Sequence, residues 1–241
     1  MTDYQFVSYE VRDPVAVITL SRPDVLNAFH YPMLDEIRGA VERASADPAV
    51  VGIIVTGAGR GFSAGLDAAV LQQTTSGAAS GRGRPAVAEG ELPGLFSYFM
   101  QQPKPIIAAV NGVTVGGGFV LALKCDMRFA STDAAFLSIF SKRGLISEHG
   151  ISWLLPRLVG TASALDILWS SRRIEADEAL QLGLVQRVTS PEELLPTAIA
   201  YVEDLADNVS PATLADTKRM VYDHAGIDFR PAFDDADAAT W

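Results

Sequence analysis

One pattern constrains this chain more than any other, and it occurs twice: a short, wholly apolar run that ends in a cluster of glycines. Residues 50–55 (VVGIIV) lead into TGAGRGFSAGLDAA, and Ile106–Val110 (IIAAV) leads into NGVTVGGGFVLALKCD. Apolar runs of that length read as strands covered on both faces. Glycine lets the backbone turn sharply and come close to a ligand. Residues 119–123 (FVLAL) are apolar all round, so their helix is buried, and Gly116, Gly117 and Gly118 leave unpaired N–H groups at its start. Such a start favours negative charge, whether a bound anion or a developing oxyanion. On the pattern alone, the plainer reading that these glycines only turn the chain stays open.

Elsewhere, Val15–Leu20 (VAVITL) predicts a strand, with residues 6–11 as its antiparallel neighbour. Met33, Leu34, Ile37, Ala40, Val41 and Ala44 recur at helical spacing behind Pro32, a suitable first helical residue. Residues 95–101 read as helical, and residues 74–90, rich in Gly, Ser and Ala with Arg82 and Arg84, as a mobile surface loop. The second half changes character. Helices are expected over 151–158, 162–169, 176–182 and 192–206, the last with a stripe of Leu195, Ala198, Ile199, Val202, Leu205 and Ala206. The tail 228–241 carries Asp228, Asp234, Asp235 and Asp237 and reads as weakly structured.

Composition removes several classes. A chain of 241 residues, 49% hydrophobic, holds enough apolar material for one large core or two small ones. A net charge of −10 argues against a nucleic-acid partner, which calls for a basic footprint. The single cysteine, Cys125, excludes an internal disulfide and lies in an apolar run, as a buried small residue or a reactive thiol. The N-terminus shows no signal-peptide pattern, and no apolar stretch approaches the roughly 18 residues of a membrane helix. A soluble cytoplasmic protein without a membrane partner is expected. His30, His149 and His224 lack metal-ligand spacing, so no metal is expected. Neither phosphate-binding glycine template is matched. Gly61 to Gly65 (GFSAG) fits the nucleophile elbow of hydrolases, but Ser63 lies well past the strand end at Val55 instead of on the turn after it.

Several segments, in order, resemble the enoyl-CoA hydratase/isomerase (crotonase) superfamily: LSRPDVLNAF, GAGRGFSAGLD, PKPIIAAVNGVTVGGG, CDMRFAS, WLLPRLVG and EADEALQLGLVQRV. The resemblance covers most of residues 15–190. It implies an α/β fold, a crotonase-like spiral of ββα units over residues 1–190. A helical C-terminal region would follow over 191–241, supporting a homotrimer or a dimer of trimers. It implies an acyl-CoA thioester substrate, no cofactor beyond the coenzyme A of that substrate, and a place in fatty acid metabolism. The thioester carbonyl would lie between the N–H groups of Leu66 and Gly117, each donor worth roughly 3 kcal/mol in a dry site.

The chain departs from the family where hydration is carried out. The two hydratase glutamates fall at Val120 and Phe140, which cannot move a proton. Glu148 instead stands one helical turn before WLLPR, where isomerases and a dehalogenase of the superfamily carry an acid. A lone carboxylate there can shuttle a proton between carbons of an enoyl thioester. Phe140, Ile146 and Trp153 are expected to desolvate it and strengthen it as a base. Capping of the helix near Ile151 is the alternative for Glu148; His149 is the base, a support for Glu148, or a polar rim residue. By the same resemblance Asp24, Val25 and Ala28, with Ala64, Gly65, Asp67 and Gly116, line the acyl-CoA site. The family's frequent basic residue at position 24 is absent, which leaves Lys104, Arg82 or Arg84 for the phosphates. Double-bond isomerisation or atypical hydration is the leading expectation. A β-diketone hydrolase and a catalytically silent acyl-CoA binder are the rivals.

Overall fold

The computed structural model describes residues 4–67, 70, 72 and 89–240. Most of the expected loop 74–90, including Arg82 and Arg84, falls outside the described residues. Two sheets organise the described residues. The first runs in the order β1 (Val7–Arg12), β2 (Val15–Leu20), β3 (Gly52–Gly57), β5 (Ile106–Val110), β7 (Met127–Ser131), β10 (Arg187–Thr189). The second runs β4 (Gly61–Ser63), β6 (Val113–Val115), β8 (Ala135–Leu137), β9 (Ile174–Glu175). From β3 to β8 the chain gives one strand to each sheet in turn, which is the expected spiral. Only the β1–β2 and β8–β9 pairs are antiparallel. The central strands are apolar on both faces because helices cover both.

On one face, α1 (Tyr31–Ala46) buries Met33, Ile37, Ala40, Val41 and Ala44, as its spacing predicts. The His30 ring nitrogen accepts the Met33 N–H and caps it. The same core holds α2 (Gly117–Lys124), whose residues 118–124 are all buried. On the other face, α6 (Pro191–Asn208) presses Leu194, Ala198 and Val202 against Val15, Val17, Ile54, Ile107 and Phe129. The helices α3 (Ile151–Val159), α4 (Thr161–Ser170) and α5 (Ala176–Gln181) lie where periodicity put them.

The helical segment expected over residues 95–101 is a 3-10 helix, Ser97–Gln101. One expectation fails: the acidic tail forms α8 (Phe229–Thr240). Two of its carboxylates have partners: Asp234 pairs with Arg230 one turn away, and Asp235 meets Arg219 and His224 of the preceding helix region. The helix before it, α7 (Pro211–Asp223), falls in the helical C-terminal region that the resemblance implies, though no periodicity marks it. Among the described residues no helix is long and apolar enough to cross a membrane.

Candidate active site

The first glycine corner is fixed by Asn27, fully buried and in the left-handed region at φ 55°. Its side-chain oxygen accepts the Arg22 N–H, and its amide donates to the carbonyls of Ala58 and Gly61. Ser63 donates to the Asn27 carbonyl at 2.9 Å and accepts the Gly65 N–H. This buried, occupied hydroxyl is therefore part of the scaffold, and the hydrolase reading of GFSAG falls. Asn111 ties the second corner to the first: it accepts from the Gly57 N–H and donates to the Gly59 and Gly61 carbonyls.

These bonds bring Leu66 and Gly117 together. Phe29 forms a bridge with the corner, donating to the Gly65 carbonyl and accepting from the Asp67 N–H. Both partners flank Leu66, so the Leu66 N–H faces away from that bridge. A β-carbon at Gly117 would sit 3.5 Å from the Leu66 nitrogen, and one at Gly65 would sit 2.7 Å from the Gly117 nitrogen. Gly117 is the first residue of α2, whose opening N–H groups have no helical partner. Two neighbouring peptide donors at a buried helix start are a geometry that stabilises a negatively charged oxygen.

Beside Leu66 opens a cavity of about 460 Å³ lined by Val25, Ala28, Ala64, Leu66, Asp67, Gln72 and Arg143. Five of these were expected from sequence. Asp67, however, pairs with Arg22 at 3.0 Å, so much of its charge is spent on holding the corner. Arg143, in the turn after β8, was missed; it is a cation on this wall where Asp24 offers none. Asp24 is exposed on the turn Pro23–Val25 and is not among the lining residues. Gly65 and Gly116 shape the corners from behind, through bonds to Phe29 and Leu137. Lys104 is no candidate for an anion: its ammonium donates to the Ala44 and Asp47 carbonyls and closes the end of α1.

Glu148 and His149 sit on the loop before α3. The helix is capped by Gly150 with no side-chain bond, so the capping role for Glu148 is not realised. Its carboxylate is 46% exposed and lies 4.0 Å from His149 Nε2. The expected desolvating wall is not assembled around it. Ile146 is 83% exposed, and Phe140 is buried in the core. The Trp153 ring is half out of the protein under the Arg157 guanidinium, 3.9 Å away. His149 Nδ1 accepts the Leu95 N–H at 3.2 Å. Aromatic contacts link this loop to the donor pair: Phe96, next to Leu95, meets Phe29 edge-on at 5.4 Å, and Phe29 touches the position of a Gly117 side chain. Below the loop, the buried Lys124 ammonium lies near Gly150 and Met100, and burial lowers its pKa. Cys125 is buried and its thiol pKa pushed up by burial, so it is the inert alternative.

Residues 10–232 match the family described as Enoyl-CoA hydratase/isomerase. The chain is 39% identical over 194 residues to a crotonyl-CoA hydratase of Syntrophomonas wolfei, covering 80% of this chain and 72% of that one. It is 35% identical to the 1,2-epoxyphenylacetyl-CoA isomerase of Escherichia coli, over 84% and 76% of the two chains. Among solved structures, an enoyl-CoA hydratase of Mycobacterium marinum superposes with a TM-score of 0.75 at 43% identity, over 90% of this chain and 96% of that one.

Proposed function

The chain belongs to the enoyl-CoA hydratase/isomerase family, with the crotonase fold and an acyl-CoA enzyme's ancestry, and on that premise we propose that it isomerises the double bond of an enoyl-CoA thioester. The observation that carries this reading is the Leu66–Gly117 pair of peptide N–H groups, of which Leu66 lines the cavity. The thioester oxygen lies between them and takes on negative charge as the α-proton leaves. Glu148 accepts that proton from C2 of a 3-enoyl thioester, leaving a dienolate held by the two donors. The protonated Glu148 returns it to C4, and the double bond ends between C2 and C3. Hydration by the usual two carboxylates has no support, because Val120 and Phe140 are buried hydrocarbon. The likeness to a relative named as an acyl-CoA isomerase is in keeping with this reading. Val25, Ala28, Ala64 and Leu66 cover the pantetheine arm, and Arg143 supplies the nearby positive charge. We also propose assembly as a homotrimer or a dimer of trimers, which would cover the exposed Trp169, Phe229 and Phe233.

The test is turnover of 3-enoyl-, 2-enoyl- and β-diketo-CoA by the native enzyme and by Glu148→Gln. Isomerisation of the 3-enoyl substrate, lowered roughly 100-fold or more in Glu148→Gln, is expected. Unchanged turnover in the variant removes Glu148 from the chemistry. Cleavage of the β-diketone alone makes the chain a C–C hydrolase, and binding of acetoacetyl-CoA with no turnover at all makes it a silent binder.

A further inference from the structure

The Glu148 loop carries a second ionisable group whose chemistry is set by a backbone contact. His149 has φ 57°, a left-handed conformation that strains a non-glycine residue and persists only where the surroundings enforce it. The enforcing contact is with Gly94 and Leu95. A β-carbon at Gly94 would lie 3.4 Å from the His149 Cα, and the Leu95 N–H donates to Nδ1 at 3.2 Å. Residues before Leu95 are tied down in turn: Glu91 meets Arg38 at 2.6 Å, and Gln101 bonds the backbone of Gly90 and Leu92.

An N–H donor at Nδ1 forces the neutral ring to carry its proton on Nε2. That nitrogen is the one facing Glu148 Oε2 across 4.0 Å. The distance exceeds a hydrogen bond, so donation to the carboxylate requires the two side chains to move about 1 Å closer. In this tautomer His149 has no free lone pair with which to act as a base.

We propose that His149 is the positioning residue of Glu148: the Leu95 N–H locks it as the Nε2–H tautomer, which donates to the carboxylate and holds it toward the substrate. The inference rests on Glu148 being the proton carrier. The same contact links the carboxylate to the segment 89–95.

Two measurements test it. With three histidines in the chain, the 15N ring spectrum resolves their tautomers, and His149→Asn identifies the His149 signals by their loss. A protonated Nε2 with an unprotonated Nδ1 is expected; the opposite assignment overturns the proposal whether or not a substrate is known. The kinetic test compares His149→Asn with His149→Gln on the substrate that native enzyme turns over. Asparagine suits the left-handed backbone and keeps an acceptor for Leu95 but lacks a donor at the Nε2 position. Glutamine supplies one. His149→Asn is expected to lower kcat tenfold or more with KM and acetoacetyl-CoA affinity unchanged, and His149→Gln to recover most of the loss. Native kcat in His149→Asn, or no recovery in His149→Gln, overturns it. If Glu148→Gln is fully active, the proton-carrier assignment has failed; if Glu148→Gln is dead and His149→Asn is not, only the positioning role has failed.

Discussion

An alanine at position 118 would place its β-carbon 2.2 Å from the Ser63 carbonyl oxygen and 2.8 Å from the Ser63 Cβ. Neither neighbour can yield, because Ser63 is buried and bonded on both sides. Gly118→Ala is therefore expected to lose at least about 2 kcal/mol of stability, as overpacked sites do, and to separate the two corners. Gly226→Ala is the control, since nothing lies within 4 Å of its added carbon. Urea denaturation of both variants decides the matter; equal midpoints would mean that the corners are not in close contact. At this scale sequence reading had a clear limit. It found the glycines, and it read Ser63 correctly as an unsuitable nucleophile. It could not see that Asp67 would be claimed by Arg22, or that Lys104 would be claimed by two carbonyls at the end of α1. Those assignments depend on which segments meet, and a charged residue looks the same in sequence whether or not its partner is waiting.

Between elements, the docking of α7 rests on a small polar cluster. The Lys218 ammonium, largely buried, donates to the Phe99 and Lys104 carbonyls and meets Asp126 at 2.7 Å, while the Tyr222 hydroxyl donates to the other Asp126 oxygen. Burial holds the Lys218 pKa below the usual lysine range despite that partner. Lys218→Met removes the carboxylate's cation, leaving it the Tyr222 hydroxyl and the Ile106 N–H, and is expected to cost roughly 3 kcal/mol. Limited proteolysis should then cut between α6 and α7 well before the native protein is cut. An unchanged digestion pattern would show that apolar contacts alone hold α7. The long strands and helices were legible because each repeats its period several times, as in β2, β3 and α1. The second sheet was not, since strands of two or three residues such as β4, β6 and β9 carry no period at all. The tail was misread because its acids were counted without the arginines and histidine that answer them.

For the molecule as a whole, the large apolar side chains left outside the core bear on assembly. Trp169 is 72% exposed and Phe229 82% exposed, more than a free surface usually offers in rings of that size. Light scattering is expected to give a mass near three or six times the 25.7 kDa chain. Replacing Phe229 and Phe233 by glutamate should lower it; a monomeric native protein would refute the trimer outright. The site was legible where it depends on the spiral, as in the glycine corners, and illegible where it depends on a loop root such as Gly94–Leu95 clasping His149. The donors proposed at positions 66 and 117 also have a hereditary consequence. A peptide N–H is common to every residue except proline, so point mutation can rarely delete either group by itself. On the proposed role, what descends from parent to offspring is the path of the chain that aims them, and the side chain at position 66 is free to change while the placement of the two groups passes on.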